Sequence, residues 1–286
     1  MEALYQTYRG LLFRLAYQMT GAAQDAEDIV QDVFLKVHGV DWEEIADPKA
    51  YLCKMTTNRC LDLLKSARKK RELYTGPWLP EPVSAFYTDD YEAVIHKDLL
   101  SYGMLVLLEK LSPVERAVFV LREGLDFDYH EIAELVGKSE ANCRKIISRA
   151  KAKMGLLPKQ PIAPPETADS RAWVTRFLYA LEQGNVDSLL ALLDKDAVLI
   201  SDGGGKVAAA LHPIVSAERI ARFLLGVQRK YNASDSRQKE LVTLNGQTAL
   251  VYHAEGKVDT AVLLDVKDGA IQRLYYVRNP DKMHYL

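Results

Sequence analysis

The sequence predicts a multidomain protein in which two all-α domains are followed by an α+β domain. Apolar residues recur at helical spacing in residues 1–157, and the short strand-like segments near the end of the chain follow a further helix. A chain of 286 residues, 48% of them hydrophobic, is long enough for two or three separate cores. The predicted boundaries are 1–72 for the first domain, 73–98 for a linker, 99–157 for the second domain, 158–167 for a proline-rich spacer and 168–286 for the third domain.

Residues 1–72 are predicted to be helical, with a loop at 39–48. In AEDIVQDVFLKV, Ile29, Val33 and Val37 fall at four-residue steps and form one apolar stripe, while aspartates occupy another face. A further helix is expected from about Lys49 to Arg71, and it ends in the basic run KSARKKR.

Residues 99–157 carry clear helix start signals. SPVE, from Ser112, and DYHE, from Asp128, both match the pattern of a capping box. The second of these helices is expected to stop at Gly137, and Ser139 is expected to cap the basic helix that follows. Two helices joined by a glycine-containing turn form a helix-turn-helix.

The third domain is predicted to begin with a helix at about 169–192 and to contain another at 216–230. Antiparallel strands account for the rest, which gives an α+β fold. The predicted strands are AVLISD, KVAAAL, ELVTLN, TALVYHAEG, TAVLLDV and IQRLYYVRN.

Several classes of protein are excluded at this point. No apolar run is long enough to span a bilayer and the first residues lack the order of a secretory signal, so we expect a cytoplasmic protein without membrane contact. Cys53, Cys60 and Cys143 have no metal-ligand spacing and are expected to be small buried or half-buried side chains. We predict no cofactor and no metal.

Charge is distributed unevenly along the chain. Residues 65–71 contain five basic and no acidic side chains, and residues 138–153 contain six basic and one acidic. The net charge of residues 1–157 is −3, so the part of this range outside the two basic stretches is strongly acidic. Two kinds of partner are indicated, an anionic one for the basic stretches and a basic one for the acidic surface.

The second helix of a helix-turn-helix fits the major groove of DNA, where base edges are distinguishable. Arg144 suits guanine, Asn142 suits adenine and Glu140 suits a cytosine amino group, while Arg149, Lys151 and Lys153 suit phosphates. The alternative is a basic solvated helix in an unrelated helical domain. The predicted DNA-contacting residues of this helix are Ser139, Glu140, Asn142, Arg144, Lys145, Ser148 and Arg149.

The basic run near residue 70, with Trp42, Asn58 and Arg59 before it, suits a nucleic-acid strand with exposed bases. A solvated charge run favoured by the helix dipole is the alternative.

Two long motifs carry a family resemblance that covers about half the chain. DAEDIVQDVFLKV followed by PKAYLCKMTTNRCLDLLKSARKKRE resembles region 2 of bacterial RNA polymerase sigma factors. LEKLSPVERAVFVLREGLDFDYHEIAELVGKSEANCRKIISRAKAKM resembles region 4 of their extracytoplasmic-function class, which belongs to the sigma-70 family. The resemblance implies a promoter-recognition subunit that is not an enzyme. It would bind the β′ clamp helices and the β flap of core RNA polymerase together with promoter DNA.

The resemblance also implies site residues. Region 4 would read the −35 element through the helix described above. The polymerase contact would comprise Asp25, Glu27, Asp28, Gln31, Asp32 and Phe34. The −10 element would be melted and read by Trp42, Asn58, Arg59, Asp62, Lys65, Arg68 and Lys69.

Residues 168–286 resemble the SnoaL-like, ketosteroid-isomerase-like fold, a cone made of a curved sheet and helices. WLPEP (78–82), DGGGK (202–206) and NPDKM (279–283) together resemble the sigma group that carries this domain in place of a separate anti-sigma protein; Met283 stands where leucine is expected. The resemblance implies intramolecular regulation. The contacts would involve Trp78, Leu79, Pro80, Asp202, Gly203, Gly204, Gly205, Lys206, Asn279, Pro280, Asp281 and Lys282.

Alternatives remain for this domain and for the whole chain. DGGGK also suits a glycine-rich hairpin turn and NPDK a plain turn. A ligand sensor would have a pocket lined by aromatic residues such as Tyr252, Tyr275 and Tyr276. An isomerase-type enzyme would use a carboxylate base, for which no spacing singles out Asp202, His212, His253 or Asp259. The whole chain could instead be an autonomous helix-turn-helix regulator with a ligand-sensing or vestigial-enzyme domain.

Overall fold

The computed structural model describes residues 2–40, 42, 45–84, 101–156, 167–232 and 238–286, without the side chains of 67–72, 167–169 and 231–232. The chain divides into two compact units. The first comprises Met1–Leu73 and Thr88–Pro164, and the second comprises Tyr74–Tyr87 and Pro165–Leu286. The described part of the predicted linker, residues 74–84, therefore belongs to the second unit. We call it the linker segment.

The first unit is all-α, as the sequence predicts. Helices α1 (Glu2–Thr20), α2 (Ala23–Lys36) and α3 (Pro48–Glu72) pack together. They are followed by α4 (Tyr102–Leu108), α5 (Pro113–Phe119), one π-helical turn (Val120–Gly124), α6 (Tyr129–Val136) and α7 (Glu140–Met154). The predicted apolar stripe of α2 is confirmed, because Ile29, Val33 and Val37 are all buried.

The predicted helix boundaries around the helix-turn-helix are confirmed. Ser112 Oγ accepts from Glu115 N at 3.4 Å, and Glu115 Oε2 accepts from Ser112 N at 2.9 Å, which completes a capping box. Gly137 ends α6 in the left-handed conformation with φ 64°, a geometry that glycine adopts without strain. Ser139 then caps α7 by accepting from Asn142 N.

The second unit has the predicted α+β fold. Its elements are α8 (Thr167–Glu182), α9 (Val186–Leu192), β1 (Leu193–Asp202), β2 (Ile214–Val215), α10 (Ala217–Asn232), β3 (Gln238–Leu244), β4 (Gln247–Ala254), β5 (Lys257–Lys267) and β6 (Ala270–Val277). The sheet order is β2-β1-β6-β5-β4-β3. Apolar side chains of α8, α9 and α10 form one core with side chains of β1, β4, β5 and β6.

Three details of the predicted fold are wrong. The helix expected at 169–192 is two helices, because the chain turns at Gly184 with φ 62°. KVAAAL (206–211) is a loop, since Gly204 and Gly205 both adopt positive φ and turn the chain away from the sheet. The strands are not all antiparallel: β1 and β6 run parallel, because β6 returns beside the first strand after α10 and three successive hairpins.

Candidate functional site

The exposed face of α7 carries the residues predicted to contact DNA. The buried side chains Cys143, Ile147 and Ala150 hold this helix on the first unit. All seven predicted residues are exposed, and α7 packs against α5 and α6. The candidate surface comprises Ser139, Glu140, Asn142, Arg144, Lys145, Ser148 and Arg149.

Arg144 is held by two neighbours on this surface. Its guanidinium carbon lies 4.0 Å from the centre of the Tyr129 ring, and its Nη2 lies 3.3 Å from Glu140 Oε2. A stacked arginine loses less side-chain freedom when it binds a base edge.

Two other basic residues of α7 are paired inside the first unit. Lys151 Nζ lies 2.9 Å from Glu123 Oε1, and Lys153 Nζ lies 2.6 Å from Glu115 Oε1. Lys151 is also buried. Exposed Arg149 is therefore the better candidate for a phosphate contact.

Helix α3 exposes Asn58, Arg59, Asp62 and Lys65, four of the seven residues predicted to read the −10 element. Lys65 Nζ lies 3.1 Å from Asp62 Oδ1. Trp42 precedes the helix and makes an edge contact with Tyr51 at 6.2 Å between ring centres. The remaining two, Arg68 and Lys69, lie outside the described side chains.

The predicted polymerase contact lies on α2. Asp28 and Gln31 are exposed, and Asp25, Glu27 and Asp32 are half-buried. Asp32 accepts a hydrogen bond from Arg59 Nε at 2.9 Å, so the acidic surface meets α3 here. Phe34 is buried against Tyr5, with ring centres 4.8 Å apart. The next residue, Leu35, is 74% exposed and was not anticipated from the sequence.

The three short motifs of the second unit meet at Asp202. This fully buried carboxylate, at the end of β1, accepts four hydrogen bonds. The donors are Tyr74 Oη at 2.7 Å, Leu79 N at 2.9 Å, Gly204 N at 3.0 Å and Lys282 Nζ at 2.7 Å. We define the Asp202 cluster as Tyr74, Leu79, Asp202, Asn279 and Lys282.

The other members of the Asp202 cluster also hold the linker segment. Asn279 Nδ2 donates to Tyr74 Oη at 2.8 Å, and Lys282 Nζ donates to the Leu79 carbonyl. The Lys282 ammonium lies 4.0 Å from the centre of the Trp78 ring. Burial raises the pKa of Tyr74, and the hydrogen bond to the Asp202 carboxylate raises it further, so this phenol stays protonated and donates.

The glycines of DGGGK permit close approach and do not form a plain hairpin turn. A Cβ on Gly204 would lie 2.4 Å from Asn279 Nδ2, and a Cβ on Gly203 would lie 2.4 Å from the Val207 carbonyl oxygen. Lys206 Nζ, just beyond the glycines, lies 2.7 Å and 2.5 Å from the two Asp281 carboxylate oxygens. NPDK, which contains Pro280, forms a single 3-10 turn beside them.

A second attachment of the linker segment was missed in the sequence. Val83 N donates to Asn245 Oδ1 at 3.1 Å and Asn245 N donates to Val83 O at 2.9 Å. Ser84 N donates to Tyr285 O at 2.9 Å. Leu79, Pro80 and Val83 are buried. The apolar Val83 directly after WLPEP was the available signal, but its partner Asn245 lies 162 positions away in sequence.

The second unit encloses a cavity of about 80 Å³ between α10 and the sheet. Tyr252 and Tyr276 line it, as the ligand-sensor hypothesis expects, whereas Tyr275 is buried and belongs to the opposite face of β6. The complete lining is Leu181, Ser201, Ala208, Ala209, Phe223, Leu224, Val227, Gln228, Tyr252, Thr260, Tyr276 and Arg278.

The four carboxylate and histidine candidates for catalysis lie elsewhere in the second unit. Asp202 is bound by the linker segment, Asp259 faces Arg278 and His253 faces Glu240 at 3.2 Å. His212 is exposed in the loop before β2. None of the four lies in the described cavity lining.

The three cysteines are buried, and burial raises the pKa of Cys53 to about 12. Within the described residues, no group of three or more His, Cys, Asp or Glu side chains could hold a metal ion. The described helices include none long and apolar enough to cross a membrane.

Comparison with known proteins gives a consistent result. The family models for Sigma-70 region 2 and Sigma-70 region 4 match residues 4–70 and 104–154. The ECF RNA polymerase sigma factor SigJ of Mycobacterium tuberculosis is 34% identical, over 97% of this chain and 91% of its own length. The probable ECF RNA polymerase sigma factor SigI of that species is 27% identical, over 99% of this chain and 94% of its own length. The crystal structure of Mycobacterium tuberculosis SigJ has a TM-score of 0.79, with 29% identity, and the match covers 99% of this chain and 98% of that one.

Proposed function

This chain belongs to the extracytoplasmic-function sigma factors of the sigma-70 family, and we propose that its SnoaL-like domain modulates promoter use in cis by holding the linker segment. As a sigma factor it acts in transcription initiation, where it binds core RNA polymerase and promoter DNA. The single observation that carries the proposal is the Asp202 cluster. Through it, the domain binds the polypeptide that joins region 2 to region 4.

The proposed −35 reader is the exposed face of α7. Arg144 and Asn142 lie in its first two turns, which is the part of a recognition helix that meets base edges. The stacking of Arg144 on Tyr129 supports a bidentate contact with guanine, and exposed Arg149 suits the phosphate backbone.

The proposed −10 reader is the exposed face of α3 together with Trp42 and the basic run that ends the helix. The proposed polymerase contact is the acidic surface of α2. To the predicted residues we add Leu35, which is 74% exposed and lies between the predicted contact residue Phe34 and the end of α2. Phe34 is buried beneath this surface, where its ring packs against Tyr5.

Regulation in cis is proposed because buried polar and apolar contacts hold the linker segment on the SnoaL-like domain. Its attachment uses a buried ion pair, the buried side chains Leu79 and Val83, and backbone hydrogen bonds at Leu79, Val83 and Ser84. A linker held at a set length restricts the distances that regions 2 and 4 can span. We further propose that this fused domain replaces a separate anti-sigma protein.

Run-off transcription with purified core polymerase tests the proposal. Asp202→Asn removes the charge at the centre of the cluster and is expected to change transcript yield several-fold, with the promoter sequence preference unchanged. Asp187→Asn, an exposed carboxylate in the same unit, serves as the control and is expected to behave as the unaltered protein. An unaltered yield from Asp202→Asn, or an altered sequence preference, would contradict cis modulation through this cluster.

A further inference from the structure

We propose that the exposed face of α10 binds the phosphate backbone of duplex DNA and gives the SnoaL-like domain a sequence-independent contact with promoter DNA. This contact is additional to the −35 and −10 readers, and it does not depend on control through the linker segment. Four exposed basic residues carry it, and we call them the basic stripe: Arg219, Arg222, Arg229 and Lys230.

The basic stripe occupies one side of α10. Because an α-helix has 3.6 residues per turn, the four positions fall within an arc of about 100° around the helix axis. The other side of the helix packs into the core through Ile220, Ala221 and Leu224. From Arg219 to Lys230 the stripe is about 16 Å long, a length over which each DNA strand carries about five phosphates.

Helix stability does not explain the first half of the stripe. The positive end of the helix dipole lies at the first turn, where it favours acidic residues such as Glu218 and disfavours cations. Arg219 nevertheless stands in this turn, and Arg222 follows in the next. The dipole favours Arg229 and Lys230 alone, because they are in the last turn.

Internal ion pairs do not explain the stripe either. Lys239, Arg273 and Arg278 of the same unit each pair with a carboxylate. In the part of the chain that the structure describes, no carboxylate lies within ion-pair distance of any stripe residue. Three of the four are arginines, whose guanidinium groups bind a phosphate in bidentate fashion.

Gly226 interrupts the side chains in the middle of the stripe. Apart from proline, glycine is the least favourable residue in a helix interior. A Cβ added to Gly226 would meet no other atom within 4 Å, so packing among the described residues does not require glycine here. Its bare backbone would let a DNA strand approach the helix closely between Arg222 and Arg229.

Duplex DNA fits this face better than an acidic protein surface does. Protein contacts are centred on large apolar or aromatic side chains that lose their water. Within the described part of α10, no large apolar side chain is exposed. A row of cations without such an anchor is typical of a contact with phosphates.

Fluorescence anisotropy tests the proposal with the full chain and a fluorescein-labelled duplex of about 40 base pairs and mixed sequence, titrated over a range of KCl concentrations. Arg222→Gln/Arg229→Gln is expected to bind about tenfold more weakly at low salt, and its slope of log K against log salt should be shallower by about 1.8, which corresponds to two phosphate contacts. Lys257→Gln/Lys267→Gln removes the same charge from exposed sites at the two ends of β5, and it should leave the slope unchanged.

Gly226→Leu tests the close approach without changing any charge. It is expected to weaken DNA binding several-fold while the thermal transition stays the same or rises, because leucine is the better helix former. DNA affinity equal to that of the unaltered chain would overturn the close approach at this residue.

Two further outcomes overturn the proposal. Equal changes in slope in the two double variants would show that net charge acts without a localised contact. Loss of core-polymerase binding in Arg222→Gln/Arg229→Gln, with DNA binding intact, would assign the stripe to polymerase instead. Both outcomes are distinct from failure of cis modulation, which the transcription experiment with Asp202→Asn reports independently.

Discussion

The side chain of Asp202 makes direct polar contacts with two residues of the linker segment, Tyr74 and Leu79. Its carboxylate and the Lys282 ammonium are both buried, 2.7 Å apart, and each also binds the backbone of Leu79. Removing one member of a buried pair leaves the other without its counter-charge, and this usually costs about 3–5 kcal/mol. Replacing both members with uncharged groups costs less.

Asp202→Asn is therefore expected to lower the thermal transition of the second unit more than the double variant Asp202→Asn/Lys282→Met does. Differential scanning calorimetry of the full chain measures both transitions. The single variant Lys282→Met completes the cycle. If the loss of stability in the double variant equals the sum of the losses in Asp202→Asn and Lys282→Met, the two side chains are not energetically coupled.

Gly204 is the second residue-scale determinant. Gly204→Ala places a methyl group against Asn279 and should weaken the contact with Tyr74, in addition to the strain of an alanine at φ +60°. Gly256→Ala is a matched control, because Gly256 has φ +73° and a Cβ added there would meet no other atom within 4 Å. We expect a larger loss of thermal stability in Gly204→Ala, and equal losses in the two variants would show that only backbone strain acts.

At the scale of elements, α7 combines a buried face with an exposed polar face. Cys143, Ile147, Ala150 and Met154 hold it in place, so substitutions on the exposed face should leave the fold intact. The helix can therefore be tested as a DNA reader without disturbing the rest of the first unit.

Arg144→Ala with Arg149→Ala is expected to reduce holoenzyme binding to a promoter with its −35 element by at least about tenfold, since one bidentate base contact is worth about 1–3 kcal/mol. Binding to core polymerase should be unchanged. Gel-shift titration of the holoenzyme and a pull-down with core polymerase measure the two properties. Arg171→Ala, which replaces an exposed arginine on α8, is the control. Loss of both promoter binding and core-polymerase binding in the Arg144→Ala/Arg149→Ala variant would indicate misfolding.

At the scale of the whole molecule, the second unit includes part of the chain that connects regions 2 and 4. Truncation after residue 157 would remove every partner of the linker segment described above, including Asp202, Asn245 and Lys282. The buried side chains Leu79 and Val83 would then be exposed to solvent.

Residues 1–157 are therefore expected to be cleaved by chymotrypsin near Trp78 much faster than the full chain, and to give a different run-off transcript yield. The comparison of yields reports whether the domain assists or inhibits. Equal cleavage rates and equal yields would contradict control through the linker segment.

The sequence alone determined the features that depend on neighbouring residues. The start of α5 at Ser112, the end of α6 at Gly137 and the cap of α7 at Ser139 follow from hydrogen bonds over three or four positions and from the conformational freedom of glycine. The two sigma regions and the α+β domain were predictable because long motifs and periodic apolar residues specify them.

Tertiary structure decided what joins distant parts of the chain. Tyr74 and Asp202 are 128 positions apart, and no local pattern pairs them. KVAAAL has strand-like composition, but the positive φ angles of Gly204 and Gly205 place it in a loop. The parallel pairing of β1 with β6, and the cavity beside Arg278, depend on how the whole sheet packs against α10. Local propensity carries no information about such long-range contacts, because their free energy is gained only when the complete core forms.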